Sequence, residues 1–287
     1  MSKTSSAIAQ RLPDPSTIEG KHRFREFELN DKVFIVTGGA QGLGLALAEA
    51  LVEAGGHVYC LDIKSEPEQD FHDTKQRLAP QYDGTLHYKQ VDVTKHDQLD
   101  ATISAIADRH CRLDGLIAAA AIQQVEPAIS YPYEDVPRMM GINYGGVFLS
   151  ATICAKQMIK HNTPGSIVLV GSMSGLIANK GLMCSVYNSS KAAVIQLGRN
   201  LAMEWGQIVD GKPIRVNVLC PGNIITPMVV QNLKDDPTLK GLWERENMLG
   251  RISEPSEYRG AALFMLSNAS SFMTGSHLVI DGGYTAW

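Results

Sequence analysis

The sequence predicts a single α/β domain, in which helices cover both faces of a doubly wound, parallel, seven-stranded sheet. Apolar runs alternate with helix-length segments from residue 32 to the end, which is typical of repeated strand–helix units. Several of these runs are continuously apolar rather than alternating, as expected for strands that are buried on both faces. No internal repeat or Pro/Gly-rich linker divides the 287 residues, so we expect one domain.

Each predicted strand is a short apolar run bounded by turn residues. Strands are predicted over 32–39, 57–63, 86–93, 113–121, 166–172, 214–222 and 276–283. Helices are predicted between them, over 42–54, 66–79, 96–110, 134–161, 186–206 and 255–268.

Two segments depart from this rhythm. Residues 1–30 are polar and carry no apolar stretch of the kind a signal peptide needs, so they predict an N-terminal extension before a folded domain at 31–287. Residues 223–250 separate the last two strands and predict a loop-and-helix insertion. Insertions at the carboxyl end of such a strand often cover a ligand.

Composition argues against several classes of function. The net charge is −4 with both signs spread along the chain, and there is no run of 18 apolar residues. We therefore expect neither a nucleic-acid partner nor a membrane span. The five cysteines are odd in number and show no Cys-x-x-Cys spacing, and no His-x-x-x-His pair occurs. This pattern predicts no metal site and a reducing compartment, which we interpret as the cytoplasm.

A glycine-rich turn follows the first predicted strand and opens the first helix. Glycines stand at 38, 39, 42 and 44 in "VTGGAQGLGLALAEAL". A pyrophosphate that approaches backbone N–H groups at a helix N-terminus is held off by any Cβ atom, so this pattern in this place predicts a dinucleotide site. A purely structural strand–helix turn is the alternative reading.

Residues around this turn indicate which dinucleotide binds. Asp62 lies 18 residues after Gly44, at the end of the second predicted strand. A carboxylate there accepts hydrogen bonds from ribose hydroxyls and repels a 2′-phosphate. Gln41 stands beside Gly42 where a base would favour NADP. We therefore expect NAD, although Lys64 nearby keeps NADP open. Asp92 ends the third strand, within reach of the adenine edge.

Tyr187 and Lys191 are four positions apart in a predicted helix, so they share one face with their Cβ atoms about 6 Å apart. A nearby ammonium, together with the positive nicotinamide of an oxidised cofactor, favours the phenolate and lowers the phenol pKa from its usual value of about 10. Tyr187 could then exchange a proton with an alcohol or a ketone. Ser172 closes the fifth strand, where its hydroxyl can hold a substrate oxygen. Ser174 is the rival candidate for that role.

With these motifs in order, the chain resembles the short-chain dehydrogenase/reductase family from about residue 30 onward. Within the family it resembles the fungal polyol dehydrogenase and ketose reductase branch, through "GSMSGLIANKGLMCSVYNSSKAAVIQLGRNLAMEWG" and the ending "IDGGYTAW". The resemblance implies a Rossmann-type fold, NAD(P)-dependent oxidoreduction, and a homotetramer or homodimer. The matching positions are Thr37, Gly38, Gly42, Gly44, Asp92, Asn143, Ser172, Tyr187, Lys191, Pro221, Gly222 and Thr226.

The resemblance also implies roles for individual residues. The implied catalytic set is Asn143, Ser172, Tyr187 and Lys191, with Asn143 holding a water chain to Lys191. One departure is "AAAA" at 118–121, where the family usually has N-N-A-G. Ala118 lacks the amide that pins neighbouring backbone, and Ala121 adds a methyl near the ribose, so we expect weaker cofactor binding. The implied cofactor-binding residues are Gly38, Gln41, Gly42, Leu43, Gly44, Asp62, Asp92, Val93, Ala119, Ala120, Tyr187, Lys191, Pro221, Gly222, Ile224 and Thr226.

The sequence thus predicts an enzyme that interconverts a secondary alcohol and a ketone, either a polyol/ketose pair or a biosynthetic-pathway ketone. Two alternatives stay open on the same fold: non-redox chemistry such as epimerisation or dehydration with bound cofactor, and a non-catalytic scaffold. Because few polar residues of the insertion can be assigned to a polyol, a larger apolar ketone is also open. The predicted substrate-contacting residues are Gln123, Ser174, Met183, Met228 and Trp243.

Overall fold

The computed structural model describes residues 24–287. In this part of the chain, seven parallel strands form one sheet in the order β3-β2-β1-β4-β5-β6-β7. The chain winds outward from β1 in one direction and then from β4 in the other, which confirms the predicted doubly wound α/β fold. The strands are β1 Val33–Thr37, β2 His57–Asp62, β3 Thr85–Gln90, β4 Gly115–Ala118, β5 Ser166–Val170, β6 Arg215–Pro221 and β7 His277–Ile280.

Helices cover both faces of this sheet. In residues 24–287 they are α1 Gly42–Glu53, α2 Gln69–Leu78, α3 His96–His110, α4 Asp135–Met140, α5 Val147–Lys160, α6 Ser185–Trp205, α7 Pro227–Asp235, α8 Thr238–Arg245 and α9 Arg259–Leu266.

Successive residues of each central strand enter opposite cores, because side chains alternate between the two faces of a sheet. In β1, Ile35 packs into the core that includes residues of α3, α5 and α6, whereas Phe34 packs into the core that includes residues of α1, α2 and α9. Every residue of β1, β4, β5 and β6 is buried. This two-sided burial is the reason why β1, β4 and β5 have nearly continuous apolar sequences, while β6 also buries Arg215 and Asn217.

The predicted helix 134–161 is interrupted in the structure. A π-helical turn, Gly141–Gly146, separates α4 from α5. Gly145 and Gly146 have low α-helix propensity. A Cβ atom on Gly146 would lie only 2.6 Å from Cγ2 of Val93, so glycine is needed there. The turn contains Asn143, which is one of the predicted site residues. π-Helical turns often occur at functional sites.

The structure describes the two segments that interrupt the strand–helix alternation, residues 1–30 and 223–250, to different extents. Residues 1–23 of the predicted extension lie outside the described residues. Leu29 is buried, and its N–H donates to the carbonyl oxygen of Ala54 at 2.8 Å, so the folded domain begins before residue 31. Residues 223–250 contain α7 and α8. From residue 24 onward, the structure contains no helix with the length and apolarity that crossing a membrane requires.

Candidate active site

A cleft of about 400 Å³ opens at the carboxyl ends of the strands. Its walls come from the turn after β1, from the ends of β2, β3 and β4, from the end of β5, from α6, and from the segment between β6 and α7. This is the edge at which open α/β sheets bind ligands, where the strand order reverses direction. The cleft therefore brings together most of the residues predicted to bind the dinucleotide and three of those predicted to be catalytic, Ser172, Tyr187 and Lys191.

The glycine turn is built so that side chains are absent where its backbone approaches other groups. Gly38 has φ +68°, and a Cβ atom there would lie 2.7 Å from the amide nitrogen of Ala120. Gly42 has φ +56° at the first residue of α1, and its Cβ would project towards Pro227 and Thr226 across the cleft, at 3.4–3.6 Å. Because these glycines have no Cβ atom, the N-terminus of α1 stays open to an anionic group, and the turn fits a pyrophosphate.

Asp62 lies at the end of β2, in the wall of the cleft near the glycine turn. Its Oδ2 accepts a hydrogen bond from the Ala40 N–H at 3.2 Å, and its Oδ1 accepts one from the Ile63 N–H at 2.8 Å. These bonds orient the carboxylate, and its remaining lone pairs can accept from ribose hydroxyls. Lys64 also lines the cleft, but its ammonium is paired with the carboxylate of Glu68.

Asp92 and the last three residues of the "AAAA" segment, 119–121, line the same cleft. Oδ1 of Asp92 accepts hydrogen bonds from the N–H and the hydroxyl of Thr94, at 2.9 and 2.7 Å. Ala119 donates its N–H to the Thr37 carbonyl at 3.1 Å, and Ala120 donates to the Thr37 hydroxyl at 3.4 Å. Thr37 thus holds the backbone of a segment that has no asparagine to pin it.

Tyr187 and Lys191 lie in the first two turns of α6, and both line the cleft although they are 9% and 2% exposed. Lys191 Nζ donates to the Val170 carbonyl at 2.8 Å and lies 5.7 Å from the centre of the Tyr187 ring. Burial lowers the pKa of Lys191 to about 8. Burial also raises the pKa of Tyr187 to about 12, against the opposing effect of a hydrogen bond with Ser172.

The pKa of Tyr187 differs from the sequence-based expectation. The expected lowering combines the ammonium with the positive nicotinamide of an oxidised cofactor, whereas in the protein alone the loss of hydration outweighs every favourable contact of the phenolate. The phenol of the protein alone is therefore protonated at neutral pH, which is the form that donates a proton.

The two candidate serines occupy different places. Ser172 lines the cleft and shares a hydrogen bond with the Tyr187 hydroxyl. Ser174 is buried outside the lining, and its N–H donates to the Ser172 Oγ at 3.1 Å. Of the two, only Ser172 has its hydroxyl beside the phenol. The backbone of Ser174 orients that hydroxyl.

Asn143 is fully buried in the π-helical turn and lies outside the cleft lining. Its Oδ1 accepts from the Ile122 N–H at 2.9 Å, while its Nδ2 donates to the Ile122 carbonyl at 2.9 Å and to the Ser190 Oγ at 3.0 Å. Its side chain thus forms a reciprocal clamp on the backbone that follows β4.

Four predicted substrate residues lie outside the lining of the cleft. Trp243 is 2% exposed and packs with Met173, Leu239, Ile252 and Tyr284 in a small core under the insertion, because an indole gains most from full burial. The side-chain oxygen of Gln123 accepts a hydrogen bond from Asn232. The Ser174 side chain is buried, and the Met183 side chain is 59% exposed.

Met228 does line the cleft, and so do several apolar residues absent from the sequence prediction, among them Ile122, Ile142 and Val229. Ile122 directly follows "AAAA", and Val229 is the helical neighbour of Met228. Position relative to the motifs could therefore have identified both of them. The predicted cofactor residues Gln41, Leu43, Val93, Pro221, Gly222, Ile224 and Thr226 also line the cleft.

From residue 24 to the C-terminus, no three His, Cys, Asp or Glu side chains are grouped closely enough to hold a metal ion. Cys60 and Cys154 are buried, and burial raises the pKa of each thiol well above its usual range. These two thiols therefore behave as small apolar side chains.

Comparison with known proteins adds independent observations. A family model described as "Enoyl-(Acyl carrier protein) reductase" matches residues 38–285. "Short chain dehydrogenases/reductase notP'" of Aspergillus versicolor is 40% identical, covering 91% of this chain and 89% of the relative. The D-arabinitol 2-dehydrogenase (ribulose-forming) of Candida albicans is 35% identical, covering 91% and 95%. Among solved structures, the NADPH-dependent 3-quinuclidinone reductase of Rhodotorula rubra superposes with a TM-score of 0.82 at 32% identity, covering 96% and 100%.

Proposed function

Because the chain belongs to the short-chain dehydrogenase/reductase family of oxidoreductases, we propose that it interconverts a secondary alcohol and a ketone, with Tyr187 as the acid–base group and NAD as the preferred cofactor. One observation carries this proposal. A buried phenol, hydrogen-bonded to Ser172 and placed above Lys191, faces a groove that leads to the glycine turn of α1. An acid–base group and a dinucleotide cradle thus share a single cleft.

The residues of the chain handle the oxygen and its proton. In the oxidative direction, the Ser172 hydroxyl holds the alcohol oxygen, and Tyr187 accepts the O–H proton while the C=O bond forms. The carbinol hydrogen leaves with its electron pair, and a nicotinamide cofactor supplies the acceptor for that hydride when bound. In reduction, Tyr187 returns the proton to the oxygen of the ketone.

Lys191 sets how readily Tyr187 changes its protonation state. Its ammonium, next to the phenol ring, favours the phenolate, and this favourable charge weakens as pH passes the lowered pKa of about 8. The bond to the Val170 carbonyl fixes the direction of the ammonium. We assign to Lys191 the role of placing a positive charge beside the phenol. Ser172 donates a hydrogen bond to the substrate oxygen.

NAD is proposed over NADP because the Asp62 carboxylate is oriented at the ribose end and the positive charge of Lys64 is paired with Glu68. The structural relative from Rhodotorula rubra is named as NADPH-dependent, so NADP is the competing choice in the test. We also propose that the protein acts in the cytoplasm, because Cys60, Cys154, Cys184 and Cys220 are buried free thiols. By family resemblance, we propose that it assembles as a homodimer or homotetramer.

The test is cofactor reduction followed by absorbance, with NAD⁺ or NADP⁺ and a panel of secondary alcohols. Tyr187→Phe is compared with Tyr133→Phe, which removes the hydroxyl of an 85% exposed tyrosine outside the cleft. We expect turnover by the wild type and by the Tyr133 variant, and a loss of about 10²-fold or more in Tyr187→Phe. Equal turnover by all three proteins would contradict the role of Tyr187.

A further inference from the structure

We infer that the substrate is an apolar secondary alcohol or ketone rather than a linear polyol or ketose. The inference rests on the proposed function and names the substrate class of the same site. It follows from the side chains that remain in the cleft wall once the cofactor and the catalytic groups have been assigned.

The polar side chains in the wall of the cleft all have other roles. Gln41, Asp62, Lys64 and Asp92 surround the glycine turn and the ends of β2 and β3, at the nucleotide end. Ser172, Tyr187 and Lys191 are the proposed catalytic groups. The Thr226 hydroxyl caps α7 by accepting a hydrogen bond from the Val229 N–H at 3.4 Å. No polar side chain of the lining is therefore left to bind a second substrate hydroxyl.

Another part of the cleft wall is apolar. Ile122 packs against the cluster that contains Tyr187, and Val229 packs against the core under the insertion, while both also line the cleft. Met228 completes this wall from the first turn of α7. A substrate carbon chain beyond the reacting carbon would thus contact hydrocarbon.

Polar side chains that neighbour these residues in sequence lie outside the lining and bind other protein groups. Asn232 Nδ2 donates to Gln123 Oε1 at 2.7 Å, which joins α7 to the segment after β4. Asn188, next to Tyr187 in sequence, donates to the Ile177 carbonyl at 3.1 Å and to Asn179 Oδ1 at 3.0 Å. Each further hydroxyl of a polyol that enters the cleft would lose its hydration without gaining an uncommitted side-chain partner from the lining, which is unfavourable.

The experiment compares two five-carbon alcohols that differ in hydroxyl content, pentan-2-ol and D-arabinitol, together with cyclohexanol, in NAD⁺ reduction by the purified protein. We expect kcat/KM to be about 100-fold or more higher for pentan-2-ol than for D-arabinitol, since even one added hydroxyl is rejected by about that factor in an apolar pocket. The unfolding temperature in the presence of pentan-2-one or D-ribulose gives a second readout that needs no turnover, and only the apolar ketone is expected to raise it.

A matched pair of variants tests the wall itself. Val229→Thr adds a hydroxyl to the cleft lining at nearly constant volume, and Val230→Thr makes the same change one residue later, at a side chain that is 37% exposed and outside the lining. We expect Val229→Thr to narrow the preference for pentan-2-ol about fivefold, the equivalent of one hydrogen bond, and Val230→Thr to leave it unchanged. Met228→Gln tests the same wall if the first variant folds poorly.

The outcomes separate the two proposals. A higher kcat/KM for D-arabinitol than for pentan-2-ol, with Tyr187→Phe still inactive, would overturn the apolar substrate class and leave the proposed function standing. Reduction of neither NAD⁺ nor NADP⁺ by any of the three alcohols would overturn the proposed function and this inference together. Equal shifts in Val229→Thr and Val230→Thr would show that the wall does not select the substrate.

Discussion

The Nζ atom of Lys191 lies 5.7 Å from the centre of the Tyr187 ring, with both side chains buried in the wall of one cleft. Burial acts on the two groups in opposite directions: it raises the pKa of the phenol to about 12 and lowers that of the ammonium to about 8. Both shifts favour the neutral forms. In the protein alone the phenol is therefore the proton donor of the pair, and the charge of the ammonium is the one that changes near neutral pH.

The first prediction concerns the pH dependence of the two reaction directions. Alcohol oxidation needs the phenolate of Tyr187, so its kcat/KM should rise with pH from about 6 to about 8. Above about 8 the rise should become shallower, because Lys191 loses the charge that favours the phenolate. Ketone reduction uses the protonated phenol and should not rise over that range. Measured pH–rate profiles that are flat for oxidation between about pH 6 and 9 would contradict this assignment.

A second prediction concerns the choice of cofactor. Asp62→Ala removes the carboxylate that repels a 2′-phosphate, so the ratio of kcat/KM for NAD⁺ to that for NADP⁺ should fall by about tenfold, equivalent to about 1.4 kcal/mol. Glu66→Gln removes a negative charge four residues later, at an exposed position outside the cleft. That control should leave the ratio within about twofold, because exposed charges are screened. An unchanged ratio in Asp62→Ala would remove the basis for preferring NAD.

The third prediction tests the packing of the glycine turn. A Cβ atom on Gly44 would lie 2.1 Å from the backbone oxygen of Gly38, so backbone would have to move to accommodate it. Gly44→Ala should lower the free energy of unfolding by about 1–3 kcal/mol and weaken cofactor binding. Gly241→Ala, in α8 with no atom within 4 Å of the added Cβ, should stabilise by about 0.5–1 kcal/mol. Urea unfolding of both variants measures the difference, and equal effects would argue against the close packing.

The amino-acid sequence was sufficient to predict the fold because the apolar pattern of each strand shows how it is buried. Continuous apolar runs such as "FIVT" of β1 can be buried only between two layers, and the glycine turn marks the switch to α1. The ends of the elements were less accurate. The predicted strand 113–121 is Gly115–Ala118 in the structure, because the Ala119 N–H makes the last backbone bond to β1 and the Ala120 N–H bonds instead to the Thr37 hydroxyl.

Residues in motifs could be assigned to the cleft from their sequence position, whereas long-range contacts could not be predicted. Asp62, Ser172, Tyr187 and Lys191 all line the cleft because each lies at a strand end or at the start of a helix. Trp243 could not be placed, because an apolar residue in an amphipathic helix can face either the cleft or a core. The pairing of Gln123 with Asn232 joins residues 109 positions apart, and no local pattern indicates such a contact.

A fourth prediction concerns stability in acid. Burial lowers the pKa of His87 from 6.5 to about 4, with smaller contributions from Lys75, Arg109, His57 and His110. The unfolded chain binds this proton more readily, so the stabilisation is complete above pH 6.5 and is lost as pH falls from 6.5 to about 4. His87→Phe, which can keep the stacking on Tyr59, should show a weaker loss of unfolding free energy across that window.

The control for this change is His277→Phe, at an exposed histidine of β7. Its stability should follow the wild type through the same pH range. If His87→Phe and the wild type lose stability in parallel between pH 6.5 and 4, the titration of His87 does not contribute to acid sensitivity.

The most direct test of the central claim follows the hydrogen itself. A secondary alcohol that carries deuterium on its carbinol carbon is incubated with NAD⁺ and either the wild-type protein or Tyr187→Phe, and the mass of the reduced cofactor is measured. If the cleft supports hydride transfer with Tyr187 as the base, the reduced cofactor carries one deuterium with the wild type and almost none forms with the variant. Conversion of the alcohol without deuterated cofactor, or equal labelling by both proteins, would contradict the account.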